Sequence, residues 1–316
     1  MKRAVVTGAS GMIGAALIRR LIREKTEVLA IVRPGSKKQG QIPASPLVTV
    51  LPCPLSGLDS LPGRVDGGFD AFYHFAWDGT FGESRDDAYL QNNNVRWTLD
   101  AVRAAHLLGC RIFVGAGSQA EYGRAEGKLR PRMAVSPETG YGIAKYTAGK
   151  LSALYAAQLG ISHVWGRILS VYGPGDNPFT MVSSTVQKLL RGEKPALTKG
   201  EQMWDYLYCD DAAEAFYRMG ERGCDGVYCV GGGQPKPLKD YITAIRDAVD
   251  PSLPLGFGEV PYGENQVMFL CADITDLTAD TGFVPAVPFE RGIAQTVRWI
   301  QSQACLEPAS KGKNPI

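Results

Sequence analysis

The feature that most constrains this chain is a glycine-rich turn near its N-terminus, between an apolar strand-like run and a segment of helical periodicity. Gly8 permits the tight turn, Gly11 lets a pyrophosphate approach the backbone, and Gly14 allows close packing of helix on strand. The helix N-terminus then offers free N–H groups and a positive dipole end to phosphates. A glycine triplet alone also fits a structural turn, but this context predicts dinucleotide binding. The residues expected at the phosphates are Gly8, Ser10, Gly11, Met12, Ile13 and Gly14.

The first half of the chain alternates apolar runs with segments of helical periodicity. Strand–helix alternation of this kind builds a parallel sheet covered by helices on both faces. We therefore predict the α/β class, with a Rossmann-type, doubly wound parallel sheet. Six strands are expected, at residues 3–7, 28–32, 47–51, 69–75, 111–115 and 162–167, with long helices from about residue 86 to 108 and from about 141 to 159.

The alternation of strand-like and helical segments becomes less regular after residues 172–175, where Gly and Pro become more frequent. We predict a dinucleotide-binding domain over residues 1–170 and a smaller C-terminal substrate-binding subdomain over residues 171–303, some of whose elements can return to the main sheet. A closing helix is expected at 289–300, and residues 304–316 have the composition of a flexible tail.

Charge and composition exclude several classes of protein. Lys and Arg number 34 and Asp and Glu 32, so a formal net charge of +2 gives no field that favours nucleic acid or a membrane surface. No apolar run approaches the roughly 20 residues that span a bilayer. No signal-peptide pattern follows Lys2 and Arg3, so we expect a cytoplasmic protein. Dispersed cysteines without a Cys-x-x-Cys pair indicate reduced thiols, and dispersed histidines indicate no metal site.

The end of the second predicted strand indicates which dinucleotide is bound. A carboxylate about 20 residues beyond the glycines would bond the ribose 2′-hydroxyl of NAD. Arg33 stands at this place, and Ser36, Lys37 and Lys38 follow it. Because donors and positive charges of this kind pair with a 2′-phosphate, the sequence favours NADP, with NAD as the alternative. The same residues also fit a solvated basic loop.

A tyrosine and a lysine four residues apart form the candidate catalytic pair. Tyr141 and Lys145 project from one face of a predicted helix, about one turn apart. A nearby ammonium and an oxidised nicotinamide both favour the phenolate, so we expect the pKa of Tyr141 to be lowered and its proton to be exchanged with a substrate oxygen. An exposed, functionless pair is the alternative. Ser118 strengthens the catalytic interpretation, because it follows the fifth predicted strand at the ligand-binding edge of the sheet.

Together these residues resemble the extended short-chain dehydrogenase/reductase superfamily, and specifically its NAD-dependent epimerase/dehydratase family of nucleotide-sugar enzymes. The resemblance covers roughly residues 1–300, and the ordered set of motifs is more specific than any one of them. The matching segments are Gly8 to Gly14, Phe75-Ala76-Trp77, Asn92 to Val95 leading to Thr98, Ser118 to Gly123, Tyr141 to Lys145, Tyr172-Gly173-Pro174, Gly200 to Asp205 and Tyr208 to Asp211.

The resemblance implies roles for these segments. Ser118, Tyr141 and Lys145 are implied as the catalytic triad, Asn94 as a supporting polar residue at the cofactor, and Phe75-Ala76-Trp77 as a wall of the cofactor cleft. The C-terminal subdomain is implied to hold the nucleotide diphosphate and the sugar. Dimers in this family pair two long helices per subunit, so a homodimer is expected through the helices that begin near residues 86 and 141.

One departure from the family pattern narrows the reaction. The family's 4,6-dehydratases carry Thr-Asp-Glu, whose acid and base remove water from the sugar, where this chain has Ser118-Gln119-Ala120. Neither Gln119 nor Ala120 can move the required protons, so dehydration by that route is disfavoured. Redox at a single carbon remains, either as net reduction of a keto-sugar by NADPH or as epimerisation through a transient ketone. We expect this carbon to be C4, and Arg33 favours the keto-sugar reductase.

Other departures concern the substrate. Ser170 stands where the family often has an Asn that touches the substrate, Trp204 replaces a common Arg, and Pro54-Leu55 replaces an Asp-Leu pair that contacts adenine. Ser170, Asn177, Thr198 and Trp204 are the candidates for substrate contact.

Three alternatives stay open. The first is a nucleotide-sugar 4-epimerase that holds NAD tightly through both half-reactions. The second is a catalytically silent NADP-binding regulatory protein on the same fold, since fold does not determine function. The third is a reductase for a small carbonyl compound without a nucleotide.

Overall fold

A computed structural model of the protein describes residues 1–223, 225–264 and 266–306. Over these residues the chain forms fourteen strands and eight α-helices, joined in places by short 3-10 segments. The strands are β1 (Arg3–Thr7), β2 (Glu27–Val32), β3 (Val48–Pro52), β4 (Ala71–His74), β5 (Ile112–Ser118), β6 (Ser162–Ile168), β7 (Ser170–Tyr172), β8 (Ala196–Leu197), β9 (Met203–Trp204), β10 (Tyr206–Tyr208), β11 (Gly226–Val230), β12 (Lys236–Pro237), β13 (Gly256–Phe257) and β14 (Phe269–Leu270). The helices are α1 (Met12–Arg23), α2 (Ala88–Leu107), α3 (Gly140–Gln158), α4 (Met181–Leu190), α5 (Cys209–Arg222), α6 (Leu238–Val249), α7 (Thr275–Thr281) and α8 (Phe289–Leu306).

The largest sheet in the described part of the chain has seven strands in the order β11-β6-β5-β4-β1-β2-β3. Every neighbouring pair in it is parallel. The strand order reverses beside β1, where Val5 pairs with Leu29 of β2 on one side and Phe72 of β4 on the other. Because the strands are parallel, their carboxyl ends meet at one edge, where such sheets bind ligands. The predicted α/β class and doubly wound parallel sheet are confirmed.

The strand residues are apolar in nearly continuous runs because both faces of the sheet are covered. Ala4 and Val6 face the layer formed by α1 and α5, together with Leu17 of α1 and Phe216 of α5. Val5 points to the opposite face, with side chains of α2, α3 and the 3-10 segment at residues 55–63. The alternation along each strand therefore supplies two cores, one for each helical layer.

A smaller C-terminal subdomain is built from three short sheets and from α4, α6 and α8. Its core is aromatic: the ring of Tyr241 lies 4.6 Å from that of Phe289 and 5.0 Å from that of Tyr206, measured between centroids. Both β11 and α5 follow residue 171 in sequence but pack in the main sheet and its helical layer. The helix expected at 289–300 continues to residue 306, so residues 304–306 of the predicted tail are helical, and residues 307–316 lie outside the described residues.

The six predicted strands are all present, and the fifth is longer than expected. The glycines Gly115 and Gly117 look like the end of a strand in the sequence, yet β5 pairs with β6 as far as Ser118. Trp165 of β6 explains these glycines, because a Cβ at Gly115 would lie 2.3 Å from its ring and one at Gly117 2.3 Å from its indole nitrogen. Ser118 is therefore the last residue of a strand, opposite Ile168 of β6.

Candidate active site

The glycine turn between β1 and α1 has the geometry that its sequence predicts. Gly8 has a φ of +68°, and a Cβ there would lie 2.7 Å from the backbone nitrogen of Ala76 after β4. A Cβ at Gly14 would lie only 2.3 Å from the carbonyl oxygen of Gly8. Both contacts are with backbone, which cannot move aside cheaply, so glycine is required at both positions for the helix to start this close to the sheet.

The start of α1 is open to an anion. Gly11 is its N-cap, and within the described residues no side chain caps the helix, so Met12 and Ile13 begin it with backbone N–H groups available. A cavity of about 790 Å³ opens in front of this turn. The cavity runs over the ends of β1, β2, β3 and β4 and reaches Phe75, Ala76 and Trp77. A volume of this size and the uncapped helix fit a bound dinucleotide.

The basic cluster predicted to choose the cofactor lines the same cavity. Arg33, Lys37 and Lys38 are exposed at its wall, and the hydroxyl oxygens of Ser36 and Ser10 lie 3.4 Å apart. The segment Cys53 to Ser56 lines the cavity nearby, so Pro54-Leu55 stands where the family pattern has its adenine-contacting pair.

The structure brings Ser118, Tyr141 and Lys145 together. Tyr141 and Lys145 lie in the first two turns of α3, whose N-cap Thr139 accepts a hydrogen bond from the backbone of Gly142 at 3.1 Å. The Ser118 hydroxyl lies near enough to the Tyr141 phenol to lower its pKa. The Lys145 ammonium is buried and donates to the carbonyl oxygen of Ala116 at 2.7 Å.

The expectation of a lowered pKa at Tyr141 rests on Lys145 and an oxidised nicotinamide together, and the protein chain by itself raises this pKa. Burial raises the pKa of Tyr141, and the nearby Ser118 hydroxyl and the positive charge of Arg85 only partly oppose this rise. Burial likewise lowers the pKa of Lys145 to about 7, against the opposing charge of Glu121. The amine therefore carries only part of a charge near neutral pH, and Tyr141 is held in its protonated form.

Trp77 connects the cavity to the triad. Its ring lies 3.8 Å from the Lys145 nitrogen and 6.0 Å, edge to face, from the Tyr141 ring. Gln91 of α2 accepts a hydrogen bond from the Trp77 indole at 2.9 Å. Asn94 bonds the backbone of Asp78 through both ends of its amide, at 2.9 Å each. The cavity wall does not include Asn94, which instead supports the loop that carries Trp77.

A buried carboxylate that the sequence analysis did not select lies directly behind Ser118. Glu121 accepts hydrogen bonds from the Ser118 backbone at 2.8 Å and from the Trp165 indole at 2.9 Å. It also forms a buried ion pair with Arg167, with 2.7 Å between nitrogen and oxygen. Ser118 and Glu121 form a capping box, and the Ser-x-x-Glu spacing was the available signal. The charge of Arg85 also lowers the pKa of Tyr141. No sequence motif marks Arg85, because its place beside Tyr141 depends on the path of a loop.

The four substrate candidates are only partly brought together. The Trp204 indole donates to the Ser170 hydroxyl at 2.8 Å, so two departures from the family pattern contact each other. Asn177 lies in the turn before α4 and accepts from the backbone of Phe179, and Thr198 follows β8. The wall of the 790 Å³ cavity includes none of these four residues.

Two wider features of the described residues bear on function. No helix among them is long and apolar enough to cross a membrane. No group of three or more His, Cys, Asp or Glu side chains in the same part of the chain is arranged to hold a metal ion.

A dinucleotide-sized cavity at the switch point of a parallel sheet, joined by Trp77 to a Ser–Tyr–Lys group, is typical of a nicotinamide-dependent oxidoreductase. The chain belongs to the NAD dependent epimerase/dehydratase family, whose family model matches residues 4–231. It is an enzyme of that family, as the resemblance implied.

The chain is also similar in sequence to known enzymes and in fold to solved structures. A dTDP-glucose 4,6-dehydratase of Streptomyces griseus is 25% identical, covering 93% of each chain. The CDP-abequose synthase of Salmonella typhimurium is 26% identical and covers 93% of this chain and 97% of its own. The structure of a UDP-N-acetylglucosamine 4-epimerase from Methanobrevibacter ruminantium, in complex with UDP-N-acetylmuramic acid, matches with a TM-score of 0.86 at 22% identity. That match covers 96% of this chain and 99% of the epimerase.

Proposed function

We propose that this enzyme transfers hydride between NADP and C4 of a nucleotide-activated sugar, in the direction of keto-sugar reduction. The observation that carries the proposal is the protonated phenol of Tyr141 beside the Ser118 hydroxyl, with Trp77 of the cavity wall packed edge to face on the Tyr141 ring. A phenol that keeps its proton at neutral pH suits a general acid, and reduction of a carbonyl needs an acid at the oxygen.

The roles of the three residues follow from their surroundings. A bound nicotinamide dinucleotide supplies the hydride. Tyr141 donates its proton to the carbonyl oxygen, and Ser118, whose Oγ already accepts from the backbone of Ala120 at 3.2 Å, donates its hydroxyl hydrogen to the same oxygen. Lys145, fixed on Ala116 and on the Trp77 ring, positions the base of α3 and the nicotinamide end of the cofactor.

Dehydration is disfavoured by the residues around Ser118. Gln119 and Ala120 carry no acid or base, and the next carboxylate, Glu121, is fully buried. Its oxygens are bonded to Ser118, Trp165 and Arg167. Removal of water from a sugar needs a carboxyl group that reaches the substrate, and Glu121 is directed into the protein instead.

The preference for NADP rests on Arg33. It lies at the cavity wall together with Lys37 and Lys38, where a 2′-phosphate would meet three positive charges. We expect Arg33→Asp to weaken NADP binding by a factor of at least about 10 while NAD binding changes little. Titration of the protein with each dinucleotide measures both constants. An unchanged ratio of the two constants would remove the argument for NADP.

A second candidate is a nucleotide-sugar 4-epimerase with tightly held NAD, which the structural similarity to a 4-epimerase favours. The two candidates differ in how the cofactor behaves. An epimerase retains dinucleotide through purification, which an absorbance spectrum detects. A reductase is purified without it and oxidises NADPH when a keto-sugar is added.

The decisive experiment is NADPH oxidation against UDP-, dTDP-, CDP- and GDP-linked 4-keto sugars, with the matching 4-hydroxy sugars tested for epimerisation. Turnover of one 4-keto sugar supports the proposal. Epimerisation without net NADPH use would replace it with the second candidate. Dinucleotide binding without turnover of any sugar in the panel would favour a catalytically silent regulatory protein. Turnover only of small carbonyl compounds would show that the substrate carries no nucleotide.

The cytoplasm is the compartment that this proposal assumes. The cysteines whose state the structure describes are free and buried. Reduced thiols suit a reducing compartment.

A further inference from the structure

The loop between β4 and α2 closes over the start of α3. The Asp86 carboxylate accepts a hydrogen bond from the backbone of Gly140 at 2.8 Å. A Cβ on Gly140 would lie 3.0 Å from the carbonyl oxygen of Arg85, so the two backbones are in direct contact. Gln91 of α2 holds the same loop by donating to the carbonyl oxygens of Gly79 and Ser84. The loop is therefore fixed against the residue that precedes Tyr141.

This arrangement places the Arg85 guanidinium over the face of Tyr141. The guanidinium carbon lies 4.3 Å from the centre of the ring, within the range of a cation–π contact. One of its nitrogens donates to the carbonyl oxygen of Thr80 at 3.1 Å, which ties the side chain back to its own loop. Arg85 is thus held from two sides, by its own loop and by the aromatic ring.

The charged groups around Tyr141 come from three elements. Arg85 and Asp86 belong to the loop, and the Asp86 carboxylate accepts a hydrogen bond from the backbone of Gly140. Glu121, from the turn after β5, is negative and opposes the phenolate. Lys145, on α3 itself, has its nitrogen 5.8 Å from the ring centre. Burial lowers the pKa of Lys145 to about 7, so its charge is incomplete near neutral pH.

A guanidinium keeps its charge across the pH range in which enzymes work, whereas a buried amine can lose its own. When Tyr141 gives up its proton, the resulting phenolate lies in a partly buried site that also feels the negative charge of Glu121. We propose that Arg85 is a positioning residue that acts through Tyr141: held over the ring by its loop, the guanidinium stabilises the phenolate left by proton transfer. This inference rests on the proposed function, in which Tyr141 is the proton donor.

The test uses a probe at position 141 that needs no substrate. Tyr141 is replaced by 3,5-difluorotyrosine, whose phenol titrates well below that of tyrosine, and its single ¹⁹F signal is followed with pH in the full-length protein. The same probe is placed in Arg85→Gln and Arg85→Lys backgrounds, and thermal unfolding checks that each variant folds. Arg20→Gln is the matched control, because the Arg20 guanidinium lies 3.9 Å from another tyrosine ring, that of Tyr217, away from the site.

We expect Arg85→Gln to raise the pKa of the probe by about one unit or more, since an adjacent opposite charge shifts a pKa by that much. Arg85→Lys should retain most of the original value, and the control should leave the value unchanged. An unchanged pKa in Arg85→Gln would overturn the inference. So would an equal rise in Arg85→Lys, which would trace the effect to loop packing, or an equal rise in the control.

Failure of the proposed function would look different. If no nucleotide sugar were turned over but the ¹⁹F shift appeared as expected, the electrostatic role of Arg85 would stand and the substrate assignment would fall. If turnover were found, the alkaline limb of the pH–rate profile, where Tyr141 loses the proton that it donates, should move in Arg85→Gln by the same amount as the pKa of the probe.

Discussion

At the scale of single residues, the candidate site depends on a competition between burial and charge at Tyr141. Burial keeps the phenol protonated, and Ser118 and Arg85 limit the energetic cost of its ionised form. We expect Tyr141→Phe to lower kcat by a factor of roughly 10² to 10⁴, the usual contribution of a positioned acid. Dinucleotide affinity should change little, because the variant removes only a hydroxyl. Steady-state kinetics and dinucleotide titration measure the two quantities, and full retained activity would refute the proton-transfer role.

Lys145 makes the stability of the protein depend on pH. Its pKa in the folded chain is about 7 because of burial, below the value of 10.5 for a free lysine. Between pH 7 and 9 the unfolded chain therefore binds a proton at this position that the folded chain has released, so the free energy of unfolding rises with pH.

Lys145→Met removes this dependence. At pH 7 we expect this variant to have a higher free energy of unfolding than the natural protein. The difference between the two should fall by about 1 kcal/mol per pH unit from pH 7 to 9. Denaturant titrations at three pH values measure the difference, with Lys150→Met, an exposed position on the same helix, as the control. A difference that stays constant with pH would show that Lys145 keeps its charge in the folded protein.

At the scale of elements, the glycine turn couples the fold to the cofactor site. A Cβ at Gly14 would meet the Gly8 carbonyl at 2.3 Å, so Gly14→Ala must push α1 away from β1. We expect a loss of about 1–3 kcal/mol in the free energy of unfolding, as for other overpacked sites, together with weaker dinucleotide binding. Gly40→Ala is the control, since a Cβ at Gly40 meets no atom within 4 Å. Equal effects of the two substitutions would contradict this account of the turn.

The elements that the sequence predicted well are those whose signal is local. The glycine turn, the six apolar runs and the Tyr141–Lys145 spacing depend on neighbouring residues, and each lies in its expected element. The end of β5 was misplaced because Gly115 and Gly117 are explained only by Trp165, about 50 residues further along the chain. Arg85 reaches Tyr141 through a loop, and no periodic pattern fixes where a loop side chain ends. Long-range packing therefore limits what sequence patterns can locate.

At the scale of the whole molecule, the sequence places the glycine turn and the strand ends around it together, whereas it does not place the proposed substrate contacts together. The turn and these strand ends belong to consecutive strands of one sheet, so motif order and sheet topology place them together. The substrate candidates lie on short strands and turns of the C-terminal subdomain, where register depends on packing. Ser170 and Trp204 illustrate the point: each was selected separately as a departure from the family pattern, and the structure shows them hydrogen-bonded to each other.

The quaternary structure is the last expectation to be tested, and α3 carries the surface for it. Ile143, Leu151 and Leu154 repeat at helical spacing on its outer face and are 52%, 41% and 59% exposed. An apolar stripe of this kind is better covered than hydrated, so we predict a homodimer that buries it. Leu154→Glu would place a charge within the interface, and size-exclusion chromatography with light scattering should then show a monomer. Val284→Glu is the matched control, since Val284 is 64% exposed but lies after α7, and that variant should remain dimeric. If the unsubstituted protein were monomeric at micromolar concentration, the prediction would be refuted, because the apolar stripe would then be exposed without a partner.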